Sequence, residues 1–310
     1  MKRAFGIALM LVLLPACGVR PLNPDVQATA SAEAMQTALN PTDTPTALPT
    51  ATPAPAPTQT PAPTSTPECE SPQGRVEQTV YPGVIVDQDI PVRIFLPPCY
   101  EMAERRYPVL YLLHGKPLEV ADWYQMGAAE LAGLSMEAGI WPTFLIVMPI
   151  QPEPIFTNSD GGPWSYEAEF LDGLLPWVDG HYRTEDRPEG RALAGISRGG
   201  IWALEISFRH ADQIGAMAAL SPALAVNNPR EDYDPFNLAV SGRTLPSRIY
   251  LAAGQEDWAR ADTERLHGVL QSVGADARLV IVPGTHGSDL WEGLLEDVIG
   301  YLALGWVSVD

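Results

Sequence analysis

Residues Gly195-Ile196-Ser197-Arg198-Gly199 form a G-x-S-x-G motif, a pattern that can present a serine as a nucleophile. In such a motif the serine stands on a sharp, strained turn between a strand and a helix. Glycines two positions to either side remove the side chains that would collide with the turn. The N-terminus of the following helix points its N–H groups toward the serine oxygen. Ser197 is therefore the predicted nucleophile.

A nucleophilic serine needs a base, and the chain has five histidines. Only His114 and His286 follow predicted strands, whose carboxyl ends form the ligand-binding edge of a parallel sheet. His286 is the better base because it comes after the nucleophile and after a candidate acid, in the order Ser, Asp, His. His114 is expected to shape its loop, and the remaining three are expected to be structural.

Two adjacent carboxylates, Glu256 and Asp257, follow the run Ile249–Gly254, which resembles a strand. The acid of such a site fixes the histidine tautomer and stabilises the imidazolium ion. Asp257 is favoured for this role, and Glu256 remains the alternative. Asp262 is interpreted as a solvated helix residue.

The negative oxygen of a tetrahedral intermediate needs two N–H donors. One predicted donor is the backbone N–H of Arg198. The other should come from the loop that follows Val109–Leu113. Pro117 has no N–H, so the backbone of Lys116 is the predicted second donor, with Leu118 as the alternative.

Strands and helices that could position these residues alternate from residue 108 onward. Strands are predicted at 108–113, 143–148, 191–194, 216–220, 248–252 and 278–282, and helices near 127–139, 166–181, 199–210, 261–273 and 289–304. Before them, 75–81 and 92–96 alternate in polarity and predict antiparallel edge strands. The pattern predicts one α/β domain with a mainly parallel, doubly wound sheet and antiparallel N-terminal strands.

With these motifs in order, the chain resembles the putative esterase family. That family includes esterase D, S-formylglutathione hydrolase, feruloyl and acetylxylan esterases, enterochelin esterases and bacterial mycolyltransferases. The matching motifs, which span about residues 75–301, are Tyr111–Gly115, Trp123, Tyr166-Glu167, Leu174–Pro176, Gly195–Gly199, Gly254–Asp257, Gly284–His286 and Trp291.

The resemblance implies an α/β-hydrolase fold, no metal or other cofactor, and an acyl-enzyme mechanism with Ser197, Asp257 and His286 as the triad. Two departures bear on substrate fit more than on the triad. Gly287 stands where the family often has Asp, and Pro117 stands where small, glycine-rich residues are common.

The predicted function is that of a serine carboxylesterase acting on short or aromatic acyl esters, with carbohydrate and siderophore esters among the candidates. Phe156, Trp164 and Trp258 lie in strand-end loops and are predicted to bind substrate, because aromatic walls suit sugar rings and aromatic acyl groups. An acyltransferase and a non-catalytic binding module remain alternatives of the same fold.

The formal net charge of −19 argues against nucleic-acid binding, because phosphate contacts need clustered Lys and Arg. It also disfavours strongly anionic substrates, including ferric siderophore complexes, unless a local basic pocket overrides it. The three bases and three acids before residue 68 cancel, so the excess acidity belongs to 68–310.

Residues 1–17 are predicted to be a lipoprotein signal peptide. They have a basic start, an apolar run and a lipobox-like end, Leu14-Pro15-Ala16-Cys17. An ordinary cleaved signal is the alternative. Residues 18–67, rich in Pro and Thr, predict a disordered stalk, and 68–310 predict the esterase domain. Lipidation of Cys17 would place the domain outside the cell, anchored to the outer face of the cell membrane.

Two further cysteines, Cys69 and Cys99, remain in the predicted domain. In an exported protein, two leftover cysteines most simply form a disulfide. Two free buried thiols are the alternative.

Overall fold

The computed structural model describes residue 69, residues 71–116 and residues 121–306. The predicted signal peptide, Cys17 and the predicted stalk 18–67 lie outside these described residues, as do Pro117 and Leu118.

An eight-stranded sheet forms the centre of the domain. Its strands are β1 (Arg75–Pro82), β2 (Asp89–Leu96), β3 (Val109–Leu113), β4 (Leu145–Pro149), β5 (Arg191–Ile196), β6 (Ala216–Leu220), β7 (Arg248–Gly254) and β8 (Ala277–Val282). They lie in the order β1-β2-β4-β3-β5-β6-β7-β8. β2 runs antiparallel to both β1 and β4, and the pairs from β4 to β8 are parallel. This confirms the predicted sheet and its antiparallel start.

Helices cover both faces of this sheet. They are α1 (Ala121–Gln125), α2 (Ala128–Glu137), α3 (Tyr166–Ala168), a π-helical stretch (Glu169–Leu174), α4 (Leu175–His181), α5 (Arg198–Arg209), α6 (Pro235–Val240), α7 (Arg260–Ser272), α8 (Ser288–Glu292) and α9 (Leu295–Ala303). Alternate residues of β3 belong to two separate buried clusters, with Tyr111 in one and Leu112 in the other. Because successive side chains of a strand point to opposite faces, each face of the sheet has its own hydrophobic core.

The predicted helix at 289–304 is divided into α8 and α9, which are separated by Gly293 and Leu294. The apolar positions that predicted it, Leu290, Leu294, Val298 and Leu302, are all buried. The sequence did not reveal α1 and α6, because helices of five and six residues are too short to show a helical period.

Cys69 and Cys99 form a disulfide, as predicted. The bond ties the first described residue of the domain to the turn that follows β2. Within the described part of the chain, no helix combines the length and apolar character needed to cross a membrane.

Candidate active site

Ser197 lies on a strained turn between β5 and α5, with φ 51° and ψ −110°. A residue other than glycine rarely adopts such a positive φ. The flanking glycines leave room for this turn. A Cβ at Gly195 would lie 2.1 Å from the carbonyl oxygen of Gly199, and one at Gly199 would lie 2.4 Å from that of His114. The motif thus has the local structure that a nucleophile elbow requires.

Three predicted residues form a hydrogen-bonded chain at the carboxyl edge of the sheet. The hydroxyl Oγ of Ser197 lies 2.9 Å from Nε2 of His286, and Nδ1 of His286 lies 2.9 Å from Oδ1 of Asp257. These residues follow the ends of β5, β8 and β7 respectively. In this geometry the imidazole can accept the serine proton while the carboxylate fixes the tautomer and holds the ring.

The environment of Asp257 favours an ionised carboxylate. Burial alone would raise the pKa of this carboxyl group. Hydrogen bonds from His286, the Ser221 hydroxyl and the Ala259 backbone N–H outweigh burial and hold the pKa below its usual range. The bond from Ala259 is 2.8 Å long. An ionised acid at this position can stabilise an imidazolium ion on His286.

Ser221 belongs to the site although no sequence motif indicated it. It directly follows the end of β6, its φ is 48°, and it is fully buried. Its hydroxyl accepts a 3.1 Å hydrogen bond from Nε1 of Trp291, and the same hydroxyl helps to lower the pKa of the Asp257 carboxyl group. Its place at a strand end was the signal that could have identified it, because such ends form the ligand-binding edge.

Two tryptophan rings contact the imidazole of His286. The Trp258 ring lies over it, with centroids 4.4 Å apart and an interplanar angle of 31°. The Trp291 ring meets it edge-on, at 5.2 Å and 84°. These rings restrict the imidazole to the plane in which it reaches both Ser197 and Asp257.

The predicted oxyanion loop lies against the nucleophile. A Cβ at Gly115 would lie 3.3 Å from Cβ of Ser197, so the backbone leading into Lys116 passes close to the serine. Arg198 is the first residue of α5, where an N–H has no partner within its own helix. Arg198 thus directly follows Ser197, and Gly115, the residue before Lys116, approaches it, while the assignment of both N–H groups to the oxyanion hole stays a prediction. The Lys116 ammonium group is exposed and lies 3.1 Å from Oε1 of Glu153.

His114 stabilises this loop, in agreement with the prediction. It is buried, its Nε2 accepts a 2.9 Å hydrogen bond from the Gln151 backbone N–H, and its Nδ1 lies 2.7 Å from the Gly115 carbonyl oxygen. The amide of Gln151 donates in turn to the His114 carbonyl oxygen at 2.7 Å. The ring therefore joins the loop after β3 to the chain that follows β4.

The Arg198 side chain connects α5 to two loops. Its Nε donates to the Phe156 carbonyl oxygen at 3.1 Å, and its Nη1 donates to Oδ1 of Asn227 at 2.6 Å. Nε1 of Trp202 donates to the same Phe156 carbonyl at 2.9 Å. The residue next to the nucleophile thus holds both the 150–165 loop and the loop after β6.

The three predicted substrate-binding residues differ in exposure. Trp164 is 77% exposed and Trp258 is 48% exposed, so both can meet a ligand. Phe156 is only 3% exposed, and its ring packs 5.2 Å from that of His114. The ring of Phe156 therefore packs into the domain beside His114, and its assignment to substrate binding stays a prediction.

The other acids and histidines have separate partners. Glu256 is exposed and accepts a 3.1 Å hydrogen bond from the Gly284 N–H, while Asp262 pairs with Arg265 on α7. His181 ends α4, His210 bonds to Glu167, and His267 lies within α7. None of these side chains belongs to the chain of hydrogen bonds at Ser197.

A cavity of about 490 Å³ lies apart from this site. It is lined in part by Trp141, Arg278, Asp297 and Tyr301. Arg278 is near the beginning of β8, whereas the triad lies beyond the strand ends. The cavity is therefore at the opposite edge of the sheet from the candidate chemistry.

Residues 84–298 match the family described as "Putative esterase". An esterase of Mycobacterium tuberculosis (strain CDC 1551 / Oshkosh) is 31% identical over 164 residues, covering 51% of this chain and 33% of the relative. An endo-1,4-beta-xylanase/feruloyl esterase of Xylanibacter ruminicola is 31% identical over 137 residues, covering 43% and 18%. The chain thus spans about a third or less of these curated relatives.

Solved structures share the fold. A ferulic acid esterase superimposes with a TM-score of 0.67 at 21% identity, covering 75% of this chain and 99% of that one. An S-formylglutathione hydrolase of Staphylococcus aureus gives 0.64 at 14% identity, covering 74% and 99%. The predicted α/β-hydrolase fold is confirmed.

Proposed function

This chain belongs to the "Putative esterase" family, and on that premise we propose that it is a serine carboxylesterase. The observation that carries the proposal is the hydrogen-bonded chain Ser197–His286–Asp257, with two distances of 2.9 Å. Its members come from loops after three different strands, yet they meet in the order that nucleophilic catalysis needs.

The first half of the reaction forms an acyl-enzyme. Oγ of Ser197 attacks the ester carbonyl carbon, and its proton moves to Nε2 of His286. The N–H groups of Arg198 and Lys116 stabilise the negative oxygen of the tetrahedral intermediate. His286 then gives the proton to the leaving oxygen, the carbon–oxygen bond breaks, and the alcohol departs while the acyl group stays on Ser197.

The second half repeats these steps with water. His286 takes a proton from a water molecule while the water oxygen attacks the acyl carbon. When the acyl–enzyme bond breaks, His286 gives that proton to Oγ of Ser197. In both halves Asp257 remains ionised and stabilises the imidazolium ion. The hydrogen bonds that lower the pKa of Asp257, against the opposite effect of burial, support this role.

The proposed substrates are esters of short or aromatic acyl groups. The exposed rings of Trp258 and Trp164 offer flat, partly apolar surfaces near the triad and in the 150–165 loop. The xylanase/feruloyl esterase relative and the ferulic acid esterase structure support an aromatic acyl group or a carbohydrate ester as the first choice.

We also propose that the enzyme is anchored by lipid at Cys17 to the outer face of the cell membrane. Support comes from the lipobox-like sequence and from the Pro- and Thr-rich segment between it and the catalytic domain. An anchored position outside the cell suits esters on polymers or extracellular solutes.

A fluorophosphonate probe, which reacts covalently with activated serines, tests the nucleophile. We expect the full-length protein to be labelled and Ser197→Ala to lose all labelling. Ser272→Ala, on the exposed end of α7, is the matched control and should label like the parent. Absence of labelling in the folded parent would instead favour a non-catalytic binding module.

A substrate panel tests the specificity. We expect kcat/KM to be higher for p-nitrophenyl acetate, p-nitrophenyl butyrate, methyl ferulate or acetylated xylan than for p-nitrophenyl palmitate or a peptide amide. The highest value on palmitate or the amide would contradict the proposed substrate class. Labelling by the probe without hydrolysis of any ester would favour an acyltransferase.

A further inference from the structure

A groove of about 300 Å³ lies between the 150–165 loop and the loop after β6, and we call it the Trp164 groove. It is lined by Asn158, Ser159, Asp160, Gly161, Pro163, Trp164, Arg230 and Tyr233. Its volume lies at the lower end of the range for small-ligand pockets. None of its residues takes part in the chemistry at Ser197.

Both walls of the Trp164 groove belong to loops that are hydrogen-bonded to Arg198, the residue after Ser197. On one side Arg198 binds the Phe156 carbonyl, and the chain continues from there to Trp164. On the other side it binds Asn227, three residues before Arg230. Three residues of extended chain span at most about 11 Å. The groove is therefore formed by the same two loops that the Arg198 side chain holds next to Ser197.

Trp164 offers a flat aromatic surface to this groove. Tryptophan is among the residues that proteins bury most extensively on average, yet this side chain is 77% exposed. The backbone beneath it is held in place, because the Asn158 amide donates to the Trp164 carbonyl oxygen and the Ser165 hydroxyl donates to the Gly162 carbonyl oxygen. The exposed ring thus sits on an ordered part of the loop.

The charges of the groove cancel within it. The Asp160 carboxylate accepts hydrogen bonds from the backbone N–H of Arg230 at 2.7 Å and from its Nε at 2.8 Å. Glu231 and Asp232 follow Arg230 in sequence and add negative charge nearby. A negatively charged ligand would be repelled by these carboxylates, whereas an uncharged ligand with many hydroxyl groups can share polar contacts with the ion pair.

We propose that the Trp164 groove binds a neutral carbohydrate unit of the ester substrate. A sugar ring has an apolar C–H face that suits the Trp164 ring and a hydroxyl rim that suits Asn158, Asp160 and Arg230. This assignment rests on the proposed esterase function, and it adds a second contact region, for the carbohydrate that carries the ester. The groove is a specificity determinant and takes no part in bond breaking.

Kinetics on paired substrates test the assignment in the full-length protein. The measured quantity is the ratio of kcat/KM for acetylated neutral xylo-oligosaccharides to kcat/KM for p-nitrophenyl acetate. We expect Trp164→Ala to lower this ratio by about tenfold, because one stacking contact is lost. Ile140→Ala removes another side chain of high exposure, 71%, beside the distant 490 Å³ cavity. This control should keep the parent ratio.

Direct binding separates this inference from the esterase function. In the Ser197→Ala background, unesterified xylohexaose should change the tryptophan fluorescence, and adding Trp164→Ala should abolish that change. An unchanged kinetic ratio together with unchanged xylohexaose binding would overturn the groove assignment while leaving the esterase function intact. Tighter binding of glucuronic-acid-substituted xylo-oligosaccharides would overturn the preference for a neutral sugar. If the parent binds xylohexaose but hydrolyses no ester, the esterase function fails and the groove remains.

Discussion

At the scale of single residues, Asp257 and Glu256 show how side-chain direction decides a role. The two carboxylates are adjacent in sequence, but only Asp257 reaches His286, at 2.9 Å. Glu256 points to solvent and binds the N–H of Gly284, two residues before the histidine. Successive side chains leave the backbone in different directions, so one faces the site and the other braces the loop that carries His286.

We expect Asp257→Asn to lower kcat by about 10³- to 10⁴-fold, because the amide cannot stabilise the imidazolium ion and favours the wrong histidine tautomer. Glu256→Gln is the matched control, since it removes the neighbouring charge and keeps side-chain size. Its kcat on p-nitrophenyl acetate should stay within a fewfold of the parent. A large loss of kcat in Glu256→Gln, together with a near-normal kcat in Asp257→Asn, would show that the acid is misassigned.

At the scale of elements, α5 supplies both the nucleophile turn and the anchor of the loops around it. Phe156 accepts hydrogen bonds from Arg198 and Trp202, which both belong to this helix. Further along α5, the buried Glu205 lies beneath the same loop near Gly161 and the carboxylate of Glu167. Arg198 and Trp202 thus fix the 150–165 loop at Phe156, and Glu205 lies beneath the same loop near Gly161.

Arg198→Met keeps the backbone N–H that is predicted to belong to the oxyanion hole but removes the side-chain hydrogen bonds to Phe156 and Asn227. Charge-assisted hydrogen bonds of this kind each contribute about 1.5–3 kcal/mol, so both loops should loosen. We expect KM for p-nitrophenyl acetate to rise by about tenfold, with kcat changed only a fewfold. The control is Arg187→Met, an exposed arginine just before β5. A loss of kcat at constant KM would instead assign the guanidinium to the chemical step.

Glu205 should make the stability of the domain depend on pH. Burial, followed by the negative charge of Glu167, raises its pKa to about 9, although the Gly161 N–H opposes this shift. An unfolded glutamate has a pKa of about 4.3. Between these values the unfolded chain has released a proton that the folded chain keeps. The free energy of unfolding contributed by Glu205 is therefore fully present below about pH 4.3 and is lost as pH rises toward 9.

The neutral variant Glu205→Gln cannot titrate. Its free energy of unfolding should therefore not show the fall that Glu205 causes as pH rises toward 9. At pH 8.5 we expect its Tm to exceed that of the parent by at least about 2–4 °C, the shift that 1 kcal/mol produces in a domain of this size. At pH 4.5 the difference should shrink or disappear. Glu292→Gln, an exposed acid at the end of α8, is the control for charge removal. A Tm difference that does not vary with pH would contradict this account.

At the scale of the whole molecule, the proposed catalytic residues lie between positions 116 and 286, well after the predicted anchor. The disulfide between Cys69 and Cys99 closes the start of the described domain onto the turn after β2. The domain carries its sheet, both cores and every proposed site residue except Cys17. Activity and attachment should therefore be separable.

We expect the full-length parent to fractionate with membranes and Cys17→Ser to appear in the soluble fraction. Its kcat/KM on p-nitrophenyl acetate should equal that of the parent, because the substitution leaves the catalytic domain unchanged. Immunoblotting of membrane and soluble fractions, with an activity assay on each, makes the measurement. Cys17→Ser protein that stays on the membrane would contradict lipid anchoring at this residue.

The sequence alone predicted the eight strands, and it singled out Ser197 as the candidate nucleophile and His286 as the candidate base. Buried parallel strands appear as short apolar runs, and the motif around Ser197 and the loop of His286 each follow such a run. The residue pattern and the order along the chain were enough to predict these features, because the apolar runs and the motifs that follow them are both local in the sequence. The apolar stripe at 289–304 also identified its buried face, although it did not reveal the break at Gly293.

Only the tertiary structure decided which side chains meet. Ser197 and His286 are 89 positions apart, and their 2.9 Å contact depends on how β5 and β8 are placed in one sheet. The same is true of Ser221 beside Asp257, and of Phe156, whose ring turns into the domain. Such contacts join distant parts of the chain, so their geometry follows from packing, which no local pattern of residue types encodes.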